Sequence, residues 1–307
     1  MTAGLIQNAT PFTKLLFSVV IIIGSFLAFL FLAGLLAIPV FGLGTEELIS
    51  VLENLNQAED VRIMKYFQIW LSVGSFLVPS FIIAYFISSS SIKYLKLNKL
   101  AKTTSFFFVV LVMLVALPVI NLLARWNAEL DLPGFLDGME SKMREMEEAA
   151  KHLTDTFLAA SSGWQFMANV FVVAIIPAFG EEFLFRGIIQ RLFSEWTKNV
   201  HVGVVIAAII FSTFHLQFFG FLPRLLMGVF FGYLLVWSGS MWLPVLAHFI
   251  NNGLAVIVYF FYGKEFVERD LDTLGTGSEG FMIMLACSLF TAVLIWFIYR
   301  TEKASLE

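Results

Sequence analysis

The chain has 307 residues, of which 59% are hydrophobic and 14% charged, and its mean hydropathy is +0.86. A soluble domain has an apolar fraction nearer one half, so this composition indicates an integral membrane protein. The net charge is only -4 and the basic residues are scattered, so nucleic acid is not expected as a partner. The single cysteine, Cys287, excludes an internal disulfide framework and a cysteine-based metal cage.

Apolar stretches along the chain are long enough, or nearly so, to cross a membrane, which takes about 20 helical residues. We count eight, at 15–40, 66–91, 103–123, 164–193, 202–222, 225–237, 242–262 and 281–299, and the sixth is short. The sequence therefore predicts an all-α, polytopic membrane helical bundle of about eight transmembrane helices. We expect one integral domain with N-terminal helices and a polar connector at 1–163, a core that carries the chemistry at 164–262, and a loop with the last helix at 263–307. The first three helices are expected to be plain scaffold.

The charges of the loops predict an orientation in the membrane. The second loop contains Lys93, Lys96, Lys99 and Lys102, whereas the first and third loops contain acidic runs such as EEL, AED and REMEEAAK. Lysine and arginine near helix ends favour the cytosolic side. We therefore expect the acidic loops to face away from the cytosol and both termini to be cytoplasmic, in the cell (inner) membrane.

Residues 125–162 form the longest polar stretch of the chain. Within it, apolar side chains recur at helical spacing, at Met139, Met143, Met146, Leu153 and Phe157. This pattern predicts an amphipathic surface helix. We expect a solvated connector on the outer membrane face, and a substrate-gating element is the alternative.

Two adjacent carboxylates and an arginine lie in the fourth apolar stretch, in AFGEEFLFRGIIQRLF. An ionisable side chain at mid-helix costs on the order of 2.5–3.5 kcal/mol, so such residues usually face a bundle interior or a wet cavity. Glu182 and Arg186 are i,i+4 neighbours that can form a charge-assisted pair, while Glu181 lies about 100° away without that partner. Pro177 leaves the carbonyl of Val173 without its helical donor and is expected to kink the helix. The alternative is an ion cluster that only joins helices.

Two of the four histidines lie in apolar helices. His215 is about 13 residues into the fifth helix and His248 about one and a half turns into the seventh. His248 and Asn252 are four residues apart and project from one face, whereas Asn251 is expected to point elsewhere. A lone histidine of this kind is usually a packed core residue. Two histidines, an amide and a carboxylate pair on three helices indicate a functional site.

These side-chain types suit hydrolysis. A carboxylate can act as general base on water, and a histidine can hold that water or shuttle its proton. A second histidine and an asparagine amide can donate to the oxyanion. Glu181, His215 and His248 are also a zinc ligand set with an open fourth position, and spacing does not decide between a bound divalent metal and none. A proton-coupled transporter or a bis-histidine haem protein would use the same residue types.

The residues around this set predict close packing. Gly228 and Gly232 have small-x-x-x-small spacing, which lets their helix approach a neighbour closely. Phe211 lies one turn before His215 and is expected to stack near it and shield the site.

Four motifs follow one another in the chain: Glu181-Glu182-x-x-x-Arg186, Phe211-x-x-x-His215, Gly228-x-x-x-Gly232 and His248-x-x-x-Asn252. In this order, on hydrophobic helices, they resemble the CPBP (Abi) family, which includes type II CAAX prenyl endopeptidases and bacteriocin-processing or immunity proteases. The resemblance covers about 164–262, roughly a third of the chain. It implies a bundle of about eight helices with a conical cavity that opens to the cytosol.

The resemblance also implies roles for individual residues. Glu181 would activate the attacking water with the help of His215, while His248 and Asn252 would stabilise the oxyanion. Glu182 and Arg186 would support the site. Members of the family are often labelled metalloproteases, although a metal-free glutamate mechanism is also proposed, so zinc stays undecided.

The implied activity is that of an intramembrane endopeptidase, a hydrolase whose partners are membrane lipid and a peptide or membrane-anchored protein substrate. The sequence does not identify the substrate or require that it be prenylated. The alternative is a non-proteolytic immunity or regulatory protein on the same scaffold.

Overall fold

The computed structural model describes residues 4–53, 61–276 and 280–303, and every regular element in these ranges is helical. The helices in chain order are α1 Pro11–Phe41, α2 Thr45–Glu53, α3 Val61–Ile87, α4 Ser91–Tyr94, α5 Thr103–Val115, α6 Leu117–Ala128, α7 Asp137–Leu158, α8 Gly163–Thr197, α9 Val200–Phe214, α10 Phe221–Ser238, α11 Trp242–Leu271 and α12 Phe281–Lys303. The predicted all-α bundle is confirmed.

Among the described residues, six helices are long and apolar enough to cross a membrane, and α5 with α6 form a seventh candidate that bends by 45°. The apolar helix α9 is shorter, with 15 residues. Each of the eight predicted stretches overlaps a helix, although the end of 202–222 lies in the turn after α9, and the chain is a multi-pass membrane protein. The short helix is the fifth and not the sixth as expected, because α9 ends at Phe214 while α10 runs for 18 residues.

Local sequence sets the limits of α9. It begins after Asn199, whose side-chain oxygen accepts the backbone N–H of His201 at 2.9 Å. It ends before Leu216, whose φ of 53° lies in the left-handed region that a helix cannot contain. The chain then makes a short turn, Phe218–Gly220, before α10. Because α9 ends early, His215 lies at its C-terminus.

Helix α8 carries two π-helical turns, Val170–Ile175 and Phe185–Ile189. A π turn adds a residue to the helix and is frequent at functional sites. Glu181 and Glu182 lie between the two turns, and Pro177 follows the first. The irregular backbone of α8 therefore surrounds the carboxylate pair.

Buried apolar side chains fix the helices that hold the site. One cluster joins α5, α10, α11 and α12 and consists of Val109, Val112, Met113, Phe231, Leu234, Leu243, Ala247, Leu294 and Ile298. Another joins α3 to α8 and consists of Ile83, Ala84, Ile87, Leu95, Leu184, Ile188 and Leu192. The two clusters hold α11 and α8 against the rest of the bundle.

Helix α10 packs tightly on α8 and α9 through its two spaced glycines. A Cβ at Gly228 would lie 3.0 Å from the Cβ of Ala208, and one at Gly232 would lie 2.7 Å from Oε1 of Gln190. The predicted close approach at Gly228 and Gly232 is confirmed.

The two ends of the bundle differ in charge. At one end, which we call the lysine end, the backbone N–H of Gly4 donates to the carbonyl of Tyr85, and that of Lys102 donates to the carboxylate of Glu302. The described chain therefore starts and finishes there, beside the lysine-rich segment before α5. The other end, which we call the acidic end, carries α2, α7 and the loop after α11.

Candidate active site

Glu182 and Arg186 form a buried ion pair. Nη1 of Arg186 donates to Oε1 of Glu182 at 2.8 Å, and the two side chains are 1% and 0% exposed. The same oxygen accepts a hydrogen bond from Nδ1 of His248 at 2.8 Å, and Nη2 of Arg186 donates to the carbonyl of Gly228 at 3.3 Å. The predicted i,i+4 pair is confirmed. We call Glu182, Arg186 and His248 the buried ion cluster; it joins α8, α10 and α11.

Aromatic rings enclose this cluster. The guanidinium carbon of Arg186 lies 4.4 Å from the ring centroid of Phe211 and 5.4 Å from that of Phe231. The ring of Phe211 also meets His215 edge-on at 5.0 Å, and Phe231 stacks on His248 at 5.7 Å. The expected stacking of Phe211 near His215 is confirmed.

Glu181 lies beside the buried ion cluster without joining it. Its Oε2 is 3.9 Å from Nε2 of His248 and, within the described part of the chain, makes no hydrogen bond. The side chain is 14% exposed and lines a cavity. Two carboxylates that are adjacent in sequence therefore differ: Glu182 is held by contacts within the fold, and Glu181 faces space that a ligand can enter.

The hydrogen bonds at Nδ1 determine what Nε2 of each histidine can do. Nδ1 of His215 lies 2.9 Å from the carbonyl of Phe211, which can only accept, so Nδ1 carries the proton. Nδ1 of His248 likewise donates to Glu182. In neutral form both rings present an acceptor at Nε2, and His248 can donate to an oxyanion only when both nitrogens carry protons.

His215 does not lie in mid-helix as expected, because it caps the C-terminus of α9. The segment after it is clamped by Asn127 of α6, whose Nδ2 donates to the carbonyl of Phe218 at 3.0 Å and whose Oδ1 accepts the N–H of Leu222 at 2.7 Å. The His215 side chain is exposed and lines the same cavity as Glu181.

Asn252 donates from Nδ2 to the carbonyl of Val173 at 3.0 Å. Pro177 cannot donate a helical hydrogen bond to this carbonyl, because proline has no N–H. Asn251 in turn donates to Oδ1 of Asn252 at 3.1 Å, and both asparagines line the cavity. The expectation that Asn251 points elsewhere is wrong, because the cavity is wide enough to meet two residues about 100° apart on one helix.

One cavity of about 640 Å³ brings Glu181, His215, His248 and Asn252 together. Glu182 and Arg186 lie behind its wall. Helices expected to be plain scaffold also contribute to it, since Gln68 of α3 and Asn121 of α6 line the cavity. That expectation is wrong for α3 and for the α5–α6 pair.

The cavity extends toward the acidic end. Thr154 and Phe157 of α7 and Asp272 after α11 line it, and we call this part the mouth. None of its lining residues comes from the described loops at the lysine end. The mouth and the described chain ends thus lie at opposite ends of the bundle. A cavity open to the cytosol and cytoplasmic termini, both expected from the sequence, exclude each other in this fold.

Helix α7 is the amphipathic helix predicted within the polar connector, and it packs on the mouth. Ion pairs attach it to α11: Nζ of Lys264 lies 2.7 Å from Oδ2 of Asp155, and Nζ of Lys151 lies 2.8 Å from Oε1 of Glu268. Its Phe157 is buried. These contacts fix α7 beside the cavity, and a substrate-gating role for it stays a prediction.

The predicted zinc ligands do not form a metal site here. Across 4–53, 61–276 and 280–303, no three His, Cys, Asp or Glu side chains are arranged to hold one ion. Glu181, His215 and His248 share the cavity without converging on a point within coordination distance of all three. This arrangement does not fit the three-ligand set, so the mechanism below uses no metal, and zinc stays a prediction.

Sequence analysis did not single out three amide side chains of the site region, and it expected a fourth, that of Asn251, to point elsewhere. Asn127, Gln190, Gln68 and Asn251 all lie in apolar helices, where an amide is costly unless it is bonded. Nε2 of Gln190 donates to the carbonyl of Gly232 at 3.2 Å, one turn from the Arg186–Gly228 contact. A search for amides within the predicted apolar stretches would have found Gln68, Gln190 and Asn251, whereas Asn127 lies just after the third stretch, 103–123.

Fold and site together define a helical membrane protein with a carboxylate–histidine–amide cavity. Residues 163–254 match the family model described as type II CAAX prenyl endopeptidase Rce1-like. This segment contains all four motifs, so the predicted resemblance is confirmed, and the match supports a CAAX-protease-like enzyme.

A curated relative is similar over part of the same chain. The uncharacterized protein YpbD of Bacillus subtilis (strain 168) is 27% identical over 106 residues, which are 33% of this chain and 50% of that protein. The matched region thus spans about half the length of this relative. No solved structure matches the chain.

Proposed function

We propose that the protein is an intramembrane endopeptidase that hydrolyses a peptide bond of a membrane-associated peptide or protein. The observation that carries the proposal is Oε2 of Glu181, which is buried, has no hydrogen bond among the described residues and lies 3.9 Å from Nε2 of His248. The Glu181 side chain lines a cavity of about 640 Å³, which His215 and Asn252 line as well. The family match over residues 163–254 supports the same activity.

The first step uses Glu181 as general base. A water held between Glu181 and Nε2 of His215 gives a proton to the carboxylate, and its oxygen attacks the carbonyl carbon of the substrate. The carbonyl oxygen becomes an oxyanion. Glu181, now protonated, gives the proton to the leaving nitrogen as the C–N bond breaks, and so the carboxylate is restored.

Asn252 is the amide donor for the oxyanion. Nδ2 of Asn252 carries two N–H groups: one donates to the carbonyl of Val173, and in this proposal the other donates to the oxyanion. A preorganised donor of this kind contributes because it is aimed at charge that develops in the transition state. His248, whose Nδ1 donates to Glu182, presents Nε2 on the side of Glu181.

The buried ion cluster supports these groups. Glu182 holds Nδ1 of His248 and sets the side of the ring that faces Glu181. Arg186 balances the charge of Glu182, and its contacts with Gly228 and Phe211 leave it no path to substrate. Glu182 and Arg186 thus act as positioning residues and not as reacting groups.

Membrane lipid surrounds the bundle in this proposal, and the substrate enters from the mouth. The enzyme acts in the cell membrane. Its substrate is a peptide or a membrane-anchored protein whose cleaved segment reaches past α7 to Glu181. Nothing in the cavity requires a prenyl group on that segment.

The test compares the parent with Glu181→Gln, reconstituted in lipid vesicles with a pool of synthetic peptides and with membrane proteins of the native host. New peptide ends are counted by mass spectrometry. Replacement of the base should lower cleavage by at least about a hundredfold, with thermal unfolding unchanged because the side chain keeps its shape. Glu145→Gln on the exposed face of α7 is the matched control and should cleave at the parental rate.

Cleavage by Glu181→Gln at the parental rate would remove Glu181 as the base. Binding of a peptide by the parent without any cut would favour the non-proteolytic immunity or regulatory protein. Metal analysis of the purified parent, together with chelator treatment, decides the zinc alternative: a chelator-sensitive activity with one bound zinc per chain would replace the metal-free mechanism.

A further inference from the structure

Two successive asparagines of α11 form a hydrogen-bonded chain in the cavity wall. Nδ2 of Asn251 donates to Oδ1 of Asn252 at 3.1 Å, and Nδ2 of Asn252 donates to the carbonyl of Val173 at 3.0 Å. Both side chains line the cavity that contains Glu181. The proposed mechanism uses Asn252 and gives Asn251 no role.

The direction of this chain follows from Val173. Its carbonyl can only accept, so the atom of Asn252 that faces it is the amino nitrogen. Oδ1 of Asn252 then faces Asn251, which has to offer its own amino nitrogen. Pro177, four residues after Val173, has no N–H that could compete for the carbonyl. The backbone of α8 therefore fixes the orientation of both amides.

We propose that Asn251 is a positioning residue that holds Oδ1 of Asn252, so that the free N–H of Asn252 stays aimed at the oxyanion. The inference rests on the proposed function. Without Asn251, the amide of Asn252 keeps only its contact with Val173 and can turn about its terminal torsion, which has a broad energy minimum. A donor that is misaimed by this rotation stabilises the transition state less.

The first test removes the donor and keeps a side chain of similar size. Asn251→Leu should lower kcat about tenfold on a peptide found in the cleavage assay, less than the roughly hundredfold expected for Asn252→Leu, which removes the oxyanion donor itself. KM should stay at the parental value, because the lost effect belongs to the transition state. The double variant should be no slower than Asn252→Leu alone. Asn98→Leu, in the exposed loop at the lysine end, is the matched control.

A second variant separates positioning from packing. In Asn251→Asp, the ionised carboxylate presents only acceptors to Oδ1 of Asn252, whereas the protonated carboxyl can donate to it. A free aspartate binds its proton near about pH 3.9, so the ratio of variant to parental kcat should rise as the pH falls toward that value. A residue that only fills space would give a constant ratio.

Three results would overturn the inference: parental kcat for Asn251→Leu, additive losses in the double variant, or a ratio for Asn251→Asp that does not change with pH. If the parent cuts no peptide at all, the proposed function fails on its own. The contact between Asn251 and Asn252 is then tested by measuring the free energy of unfolding of the two single variants and the double variant. A coupling between Asn251 and Asn252 supports the inference, and additive losses of stability overturn it.

Discussion

The buried ion cluster and the mouth of the cavity both contain paired charges, but the two sets of side chains differ in how deeply they are buried. Arg186 and Glu182 are 1% and 0% exposed, whereas Lys264 and Asp155 at the mouth are 47% and 22% exposed. A buried charge that loses its partner is strongly destabilising, while an exposed pair contributes at most about 1 kcal/mol. Paired charges therefore fix the geometry of the buried ion cluster, whereas at the mouth similar pairs can separate at a low cost in free energy.

The largest expected effect belongs to the buried ion cluster. Arg186→Met leaves Glu182 buried with one partner fewer, and we expect the free energy of unfolding to fall by about 3–5 kcal/mol. Denaturant titration in micelles measures it.

Addition of Glu182→Gln to the Arg186→Met chain supplies the control. The second change removes the stranded charge and should recover part of the lost stability, although His248 then loses its carboxylate partner. If the double variant were as unstable as the single one, loss of packing and not loss of charge pairing would explain the effect.

At the mouth, Asp155→Asn should change the free energy of unfolding by less than about 1 kcal/mol, because the pair with Lys264 is partly exposed to solvent. The difference from the parent should disappear in about 1 M salt, where the Debye length is only about 3 Å and exposed charges are strongly screened. A loss as large as that of Arg186→Met would show that the ion pairs of the mouth stabilise the fold as strongly as the buried ion cluster does.

The smallest effect is expected where α7 begins. The backbone N–H of Leu132 and the guanidinium of Arg144 hold the pKa of Glu140 below its usual value. A lowered folded pKa means that ionised Glu140 stabilises the fold at neutral pH and that this contribution is lost as the pH falls through the folded pKa. Glu140→Gln should therefore melt slightly below the parent near pH 7; the gap should shrink as the pH falls below the ordinary glutamate pKa of about 4.3 and vanish once the pH is below the folded pKa. A gap that is independent of pH would contradict this assignment.

The elements that the sequence predicted are those set by one helix at a time. Apolar length alone predicts a helix in each of the eight hydrophobic stretches, and each stretch overlaps one. The i,i+4 geometry alone pairs Glu182 with Arg186 at 2.8 Å, and separates Glu181 from that pair. Neither result depends on how helices pack against one another, so a single sequence was enough.

The features that were missed depend on neighbouring helices. Helix α9 ends early because Leu216 adopts a left-handed backbone conformation, which is uncommon for leucine and cannot be predicted from its sequence. The two π turns of α8 change which side chains share one face of the helix, and the apolar pattern of the sequence does not indicate where they occur. Asn251 and Gln68 reach the cavity because of its width and its extent toward α3, and helical periodicity carries information on neither.

Opposite placement of the cavity mouth and the chain ends has a practical consequence for topology mapping. A fluorescent reporter or an affinity tag joined beside residue 4 or residue 303 would lie at the lysine end, opposite the mouth of the cavity. Such fusions leave the mouth unobstructed. If protease added outside intact cells does not cut the tag, the lysine end lies inside the cell and the mouth at the outer surface.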